Sequence, residues 1–188
     1  MSKGIVVLEG PDASGKSTLA AAMKDKYGAV VIHAERRWLD KMQVYHTAIL
    51  LKAVDLAFKQ NKLVILDRHW PSEEVYGSVF RGGVAKGYTS HLFQNILRRF
   101  KVLYVMCLPS RGQAMMRHKA LQDPDHPYDD HQYNEIWYTY EKMWQKYRVK
   151  EEWIRYNLDY EGRNMDHARL TIRSLLDFNQ QPRGEFDV

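Results

Sequence analysis

The sequence predicts an α/β protein in which about five parallel strands lie between two layers of helices. Three observations point there. Five short apolar runs recur along the 188 residues: Ile5–Leu8, Val30–Ile32, Leu63–Leu66, Val102–Cys107 and Ile154–Leu158. Longer stretches of helical periodicity separate them, as βα units around a parallel sheet require. All but the last run are near-continuously apolar rather than alternating, which suits central strands covered on both faces. No internal repeat or low-complexity linker interrupts the pattern, so residues 1–188 are expected to form a single domain.

Taken in order, Ile5–Leu8 enters a glycine-rich turn at Gly10, and a helix follows over roughly Lys16–Lys26. After Val30–Ile32 comes a long helical pattern, Asp40–Gln60, and then Leu63–Leu66. A short helix ends at the turn Arg81-Gly82-Gly83, and Ser90–Phe100 carries the pattern to Val102–Cys107. Helices are expected over Arg111–Leu121, Asp130–Lys146 and Asn164–Phe178, with a frayed tail from Gln180 to Val188. Between the first two of these, Gln122–His131 is polar and interrupted by proline, the character of a mobile lid over a site or of a plain surface loop.

Composition narrows the function classes. Hydrophobic residues make up 45% and charged residues 27%, a globular balance. No apolar run approaches the roughly 20 residues that span a bilayer, and the N-terminus has no small-residue cleavage site. A cytoplasmic protein without membrane partners is expected. The net charge of +5 is spread along the chain, with Arg36-Arg37 and Arg98-Arg99 as its tight clusters, so no stable nucleic-acid surface is expected. A mildly basic chain also suits an enzyme whose substrates are phosphate anions. The single cysteine, Cys107, ends an apolar run and reads as a buried small hydrophobe. His118, His126 and His131 lack the spacing of a zinc site.

Gly10-Pro11-Asp12-Ala13-Ser14-Gly15-Lys16-Ser17 matches G-x-x-x-x-G-K-[ST], between an apolar strand and the helix opened by Ser17-Thr18. Gly10 and Gly15 let successive N–H groups turn inward onto phosphate oxygens, and the helix adds its positive dipole end. Lys16 reaches the β and γ phosphates of ATP, and the Ser17 hydroxyl is a hard oxygen ligand for Mg²⁺. The four fixed positions recur by chance in roughly one chain in a hundred of this length, so together with the strand and helix they are specific.

Directly after the third apolar run stands Asp67-Arg68-His69-Trp70-Pro71-Ser72-Glu73-Glu74-Val75-Tyr76. Ligands of such sheets lie beyond the carboxyl ends of the strands, which puts Asp67-Arg68 near Gly10–Thr18. Asp67 can hold a water of the Mg²⁺ shell, and Arg68 can grip a second phosphate bidentately. A salt-bridged pair capping a strand is the plainer alternative.

These residues resemble the thymidylate kinase family of nucleoside monophosphate kinases, especially its short, divergent, often phage-encoded members. Both family patterns stand here, E-G-x-D-x-x-G-K-[ST]-T at Glu9–Thr18 and D-R-[YH]-x-x-S-x-x-x-Y at Asp67–Tyr76. The resemblance implies the P-loop kinase three-layer sandwich, strand order 2-3-1-4-5, with a lid around residues 111–131. It implies transfer of the ATP γ-phosphoryl to a deoxynucleoside monophosphate, thymidylate by default, in the supply of precursors for DNA synthesis. Gly10, Ala13, Ser14, Gly15, Lys16, Ser17 and Thr18 would hold ATP, with Ser17 and Asp67 at Mg²⁺.

On the acceptor side the resemblance puts Asp12 on the 3′-hydroxyl and Arg68 on the monophosphate. Tyr76 would pack under the deoxyribose against a 2′-hydroxyl, with Ser72 and Glu73 near the base and sugar. Arg36 and Arg37 fall where members place further residues around the monophosphate. Position 13 is Ala where some members carry a transferring arginine, so that cation would come from Arg111, Arg117 or Lys119, with Arg117 favoured by its spacing after Leu108-Pro109. His46 falls where the family reads thymine with an arginine, so the base itself is open; a surface or core histidine is the plainer alternative there. Trp38 and Trp70, each beside a site motif, are candidates to stack on the base. Trp137, Tyr140 and Trp144 recur at helical spacing, the mark of a packing stripe. Family members often dimerise through helices flanking the sheet, which leaves a homodimer open. Two rivals stand beside this expectation. One is a nucleoside kinase using Glu9 or Glu35 as base. The other is a non-catalytic ATP switch or nucleic-acid-binding module.

Overall fold

Short branched and aliphatic runs, too apolar for either face to meet water, assemble the centre of the molecule in the computed structural model, which describes residues 4–34, 41–100, 102–121, 129–150 and 153–157. Five strands, β1 (Gly4–Glu9), β2 (Val30–His33), β3 (Leu63–Asp67), β4 (Leu103–Cys107) and β5 (Trp153–Tyr156), pair in parallel in the order 2-3-1-4-5. The ladders are in simple register, Ile5 opposite Val64, Val7 opposite Tyr104 and His33 opposite Asp67. All residues of β1, β3 and β4 are buried, whereas β2 at the sheet edge is only half-buried.

The period of two divides each strand between two cores. Ile5, Val7, Val64, Leu66, Tyr104 and Met106 face one core; Val6, Leu8, Ile65, Leu103, Val105 and Cys107 face the other. The second core is closed by α1 (Lys16–Tyr27) through Leu19, Ala20 and Met23, one face of a helix at i, i+1 and i+4. Helices α2 (Met42–Val54), α3 (Trp70–Arg81), α4 (Ser90–Arg98) and α6 (Asp130–Tyr147) close the first, joined by Ala114 of α5 (Arg111–Leu121). This is the expected three-layer α/β sandwich.

The boundaries differ from expectation in instructive places. The long pattern 40–60 is not one α-helix: α2 passes into a π-helical turn, Asp55–Lys59, which closes on Gln60 and on Asn61 in the left-handed region (φ 54°). Arg81-Gly82-Gly83 is a helix end, with Gly82 left-handed (φ 70°) and the Gly83 amide donating to the Gly77 carbonyl at 3.0 Å. α6 opens with a capping box between Asp129 and Gln132. No helix among the described residues is long and apolar enough to cross a membrane. The candidates Glu35, Arg36, Arg37 and Trp38, residues 122–128 of the expected lid, the helix expected at 164–178 and the tail all lie outside the described residues.

Candidate active site

The carboxyl ends of β1 and β3 lie side by side at the middle of the sheet, and the segments that leave them build one cleft. It encloses about 570 Å³ and is lined by Asp12–Thr18, Asp67, Arg68, Arg117 and Ala120. The turn after β1 needs glycine at its first position. A Cβ on Gly10 would stand 2.0 Å from the Cys107 carbonyl oxygen, and its φ of 143° disfavours any side chain. Ala13 (φ 60°) and Gly15 (φ 90°) complete the left-handed bends that turn the loop back over the start of α1.

Lys16 is almost fully buried beneath this loop. Its ammonium gives its protons to the loop's own oxygens, the Gly10 carbonyl at 3.0 Å, the Pro11 carbonyl at 2.6 Å and Ser14 Oγ at 3.3 Å. Burial pushes its pKa down to about 8, helped by the nearby Arg68 cation, so it remains charged at neutral pH. Ser17 and Thr18 stand exposed at the helix N-terminus.

Arg68 leaves β3 in the left-handed region (φ 73°), its amide donating to the Leu8 carbonyl at 3.0 Å, so that its side chain turns toward the glycine-rich loop. The guanidinium donates to the Gly10 carbonyl (3.0 Å), Ser72 Oγ (3.2 Å) and Tyr140 Oη (3.0 Å), and forms an ion pair with Asp12. Tyr76 lies beneath it, ring centroid 5.1 Å away, and its hydroxyl reaches Asp12 Oδ2 at 3.4 Å. The expected Asp12, Arg68 and Tyr76 are therefore brought together.

Glu9 is the buried counter-charge behind them. One oxygen accepts the His69 amide at 2.7 Å; the other accepts Ser72 Oγ at 2.6 Å and Tyr140 Oη at 3.2 Å. Burial raises its pKa to about 7, against the lowering effect of the Ser72 bond and of Arg68. The folded state thus binds a proton more readily than the unfolded chain, and stability contributed here falls as pH rises from about 4.5 to about 7. The effect is on the order of 3 kcal/mol for a shift of that size. Glu9→Gln mimics the protonated form, and denaturant titrations at pH 5 and pH 8 are expected to differ less in it than in wild type. An equal loss in both proteins would refute this.

Asp67 and Ser17 line the same cleft as hard oxygen donors. Asp67 Oδ2 lies 2.9 Å from His33 Nδ1, while its Oδ1 is buried with no hydrogen-bond partner among the described residues. This donor set fits Mg²⁺, and no group of three metal-ligating side chains competes for it among the described residues. Of the candidate lid cations, Arg117 lines the cleft. Arg111 turns to α6 instead, bonding Asn134 (2.9 Å) and Tyr138 (2.8 Å), and Lys119 pairs with exposed Asp130 at 2.7 Å.

Four sequence expectations need correction. Trp70 does not face the cleft: it is 1% exposed, its indole N–H donates to Tyr104 Oη at 3.1 Å, and it packs on Tyr147 and Trp153. His46 is buried, stacked on His69 (4.8 Å) and 2.5 Å from Tyr88 Oη; burial and then His69 push its pKa down to about 3, so it is neutral. Ser72 belongs to the Glu9–Arg68 network rather than to an open base pocket. Glu73 is buried and ties the end of α3, accepting Arg81 at 2.5 Å and the Ala85 amide at 2.7 Å. Cys107 is buried as expected, its thiol pushed up to about 12 by burial.

Two residues carry more than the sequence suggests. Tyr140, from the packing stripe, reaches both Glu9 and Arg68, while Tyr133 donates to the Asp12 carbonyl at 2.7 Å and stacks on His118 of α5 at 4.0 Å. Only the helical spacing of these tyrosines is visible in the sequence, and it signals packing whether or not the hydroxyl has work.

No protein-family model and no curated protein matches the chain. Solved structures do. The YorR protein from Bacillus subtilis, in complex with phosphorylated GDP, superposes with a TM-score of 0.71 at 17% identity, over 96% of this chain and 99% of that one. The chain has the P-loop kinase fold. Deoxyadenosine kinase from M. mycoides with bound dCTP shares that fold at a TM-score of 0.59 and 13% identity, over 90% of this chain and 99% of its own. So does polyphosphate kinase 2 from Arthrobacter aurescens TC1, at 0.64 and 17%, over 100% of this chain and 73% of its own. The P-loop kinase fold thus rests on shape, and the chemistry on the residues of the cleft.

Proposed function

We propose that the chain is an ATP-dependent nucleoside monophosphate kinase that transfers the γ-phosphoryl to a deoxynucleoside monophosphate, with thymidylate the first candidate. The observation that carries this reading is Arg68 facing the phosphate loop across one cleft, paired with Asp12 of that loop. A loop that holds one phosphate chain and an arginine that can grip another suit a two-nucleotide site. Lys16 and the loop amides hold the donor, Ser17 and Asp67 hold Mg²⁺, and Mg²⁺ when bound neutralises charge on the donor phosphates. Arg117 supplies the further cation, and Asp12 and Tyr76 meet the acceptor sugar. The structural neighbours' nucleotide ligands and the thymidylate kinase-like motifs agree with this reading.

An acceptor phosphate is already anionic, so no general base is required. A nucleoside hydroxyl would need one. Glu9, the described candidate, is 0% exposed with both oxygens engaged, which favours the monophosphate as acceptor. The deciding experiment is a panel of nucleosides and their monophosphates with Mg-ATP, scored by ADP release. Release is expected with a deoxynucleoside monophosphate. Release with nucleosides alone would establish the rival kinase, and ATP binding without any release a switch. Run on Tyr76→Ala, the panel should show the preference for deoxyribose over ribose narrowed about tenfold, the scale of one misfitted group in a pocket. An unchanged ratio would remove Tyr76 from the sugar.

A further inference from the structure

His33 closes β2 and Asp67 closes β3, and the two are register partners in a parallel ladder, locked by the Ala34 amide donating to the Asp67 carbonyl at 3.0 Å. Their side chains therefore leave the same face of the sheet, and His33 Nδ1 meets Asp67 Oδ2 at 2.9 Å. An ionised carboxylate only accepts, so the shared proton is on Nδ1. The two carboxylate oxygens of this cleft-lining residue end in different surroundings: Oδ2 is engaged by the imidazole, and Oδ1 is buried with no hydrogen-bond partner among the described residues. A carboxylate without such a partner turns readily about its terminal bond.

We infer that His33 is a positioning residue for the divalent cation, which it serves by holding Asp67 so that Oδ1 faces the metal's water shell. This rests on the proposed assignment of Asp67 to Mg²⁺. The relation is that of an outer-shell partner that orients a ligand it does not replace. His33 lies outside the phosphate loop and its side chain is 64% exposed, so its removal is expected to leave the fold intact.

The test is Mn²⁺ binding to the protein saturated with a non-hydrolysable imido analogue of ATP, read from the paramagnetic resonance of free Mn²⁺. His33→Ala and His33→Gln are expected to weaken Mn²⁺ about tenfold, and His33→Asn, whose amide nitrogen stands where Nδ1 stands, to stay within about twofold of wild type. Wild-type affinity in His33→Ala, alongside weakened binding in Asp67→Asn, overturns the role of His33. Binding in His33→Asn as weak as in His33→Ala overturns it equally. Wild-type affinity in Asp67→Asn overturns the Asp67 assignment itself, and the inference with it.

Discussion

Lys16→Ala is expected to lower phosphoryl transfer about a thousandfold, the scale on which one preorganised charge at a transition state is lost. The fold is expected to survive. Lys16 is the one described cation enclosed by the glycine-rich loop, and its contacts at 3.0, 2.6 and 3.3 Å are all with oxygens of that loop. In the variant, water from the adjoining cleft can reach the Gly10 and Pro11 carbonyls, so the loss of packing is limited to the lysine stem. Two measurements separate the effects: ADP release with saturating monophosphate, and the thermal midpoint. Turnover within threefold of wild type in a folded variant would sink the assignment of Gly10–Thr18 to the donor nucleotide. A collapse of the midpoint would instead show that the buried ammonium is a structural clip.

The sheet is legible in the sequence because its signal is local and redundant. β1, β3 and β4 are apolar at every core position on both faces, and such runs have few other places to go. The loop after β1 is legible for a different reason: its residue types are fixed by backbone geometry within one turn. What a sequence does not reveal is direction. Trp70 stands two residues beyond Arg68, yet it is the first residue of α3, and the turn into the helix carries its indole into the core against Tyr104 and Trp153. Counting along the chain puts His46 beside the base, but its ring is enclosed by His69, Tyr88 and Phe93, contacts that depend on three separate segments.

The same physics hides Tyr140 and Tyr133. Their rings sit at positions seven apart on α6, as packing residues do, and only the third dimension shows that both hydroxyls emerge under the phosphate loop. Each satisfies a buried polar group that would otherwise be costly, the Glu9 carboxylate or the Asp12 carbonyl. The motif residues Asp12, Arg68 and Tyr76 thus meet at one cleft, while the network behind them joins the motif residues Glu9 and Ser72 to two tyrosines that no motif marks.

Arg68→Ala should have the other large effect, and it should act on two observables at once. As the proposed grip on the acceptor phosphate, Arg68 is expected to cost about a thousandfold in kcat/KM for the monophosphate when removed, with KM for ATP little changed. As the partner of Asp12 and a cation that favours ionised Glu9, it should also cost stability, about 1–3 kcal/mol for unmaking charged hydrogen bonds at a half-buried pair. Arg68→Lys separates the two. It keeps the charge, so most of the stability should return, but a single ammonium cannot reproduce a planar fork that serves Gly10, Ser72, Tyr140 and Asp12 together. Activity should therefore stay low in the lysine variant while its denaturation midpoint recovers. Adding Glu9→Gln to Arg68→Ala should restore part of the stability, because the amide needs no counter-charge, and none of the activity. If Arg68→Lys regained both in proportion, the guanidinium would be a structural cation and the acceptor phosphate would have to be held elsewhere.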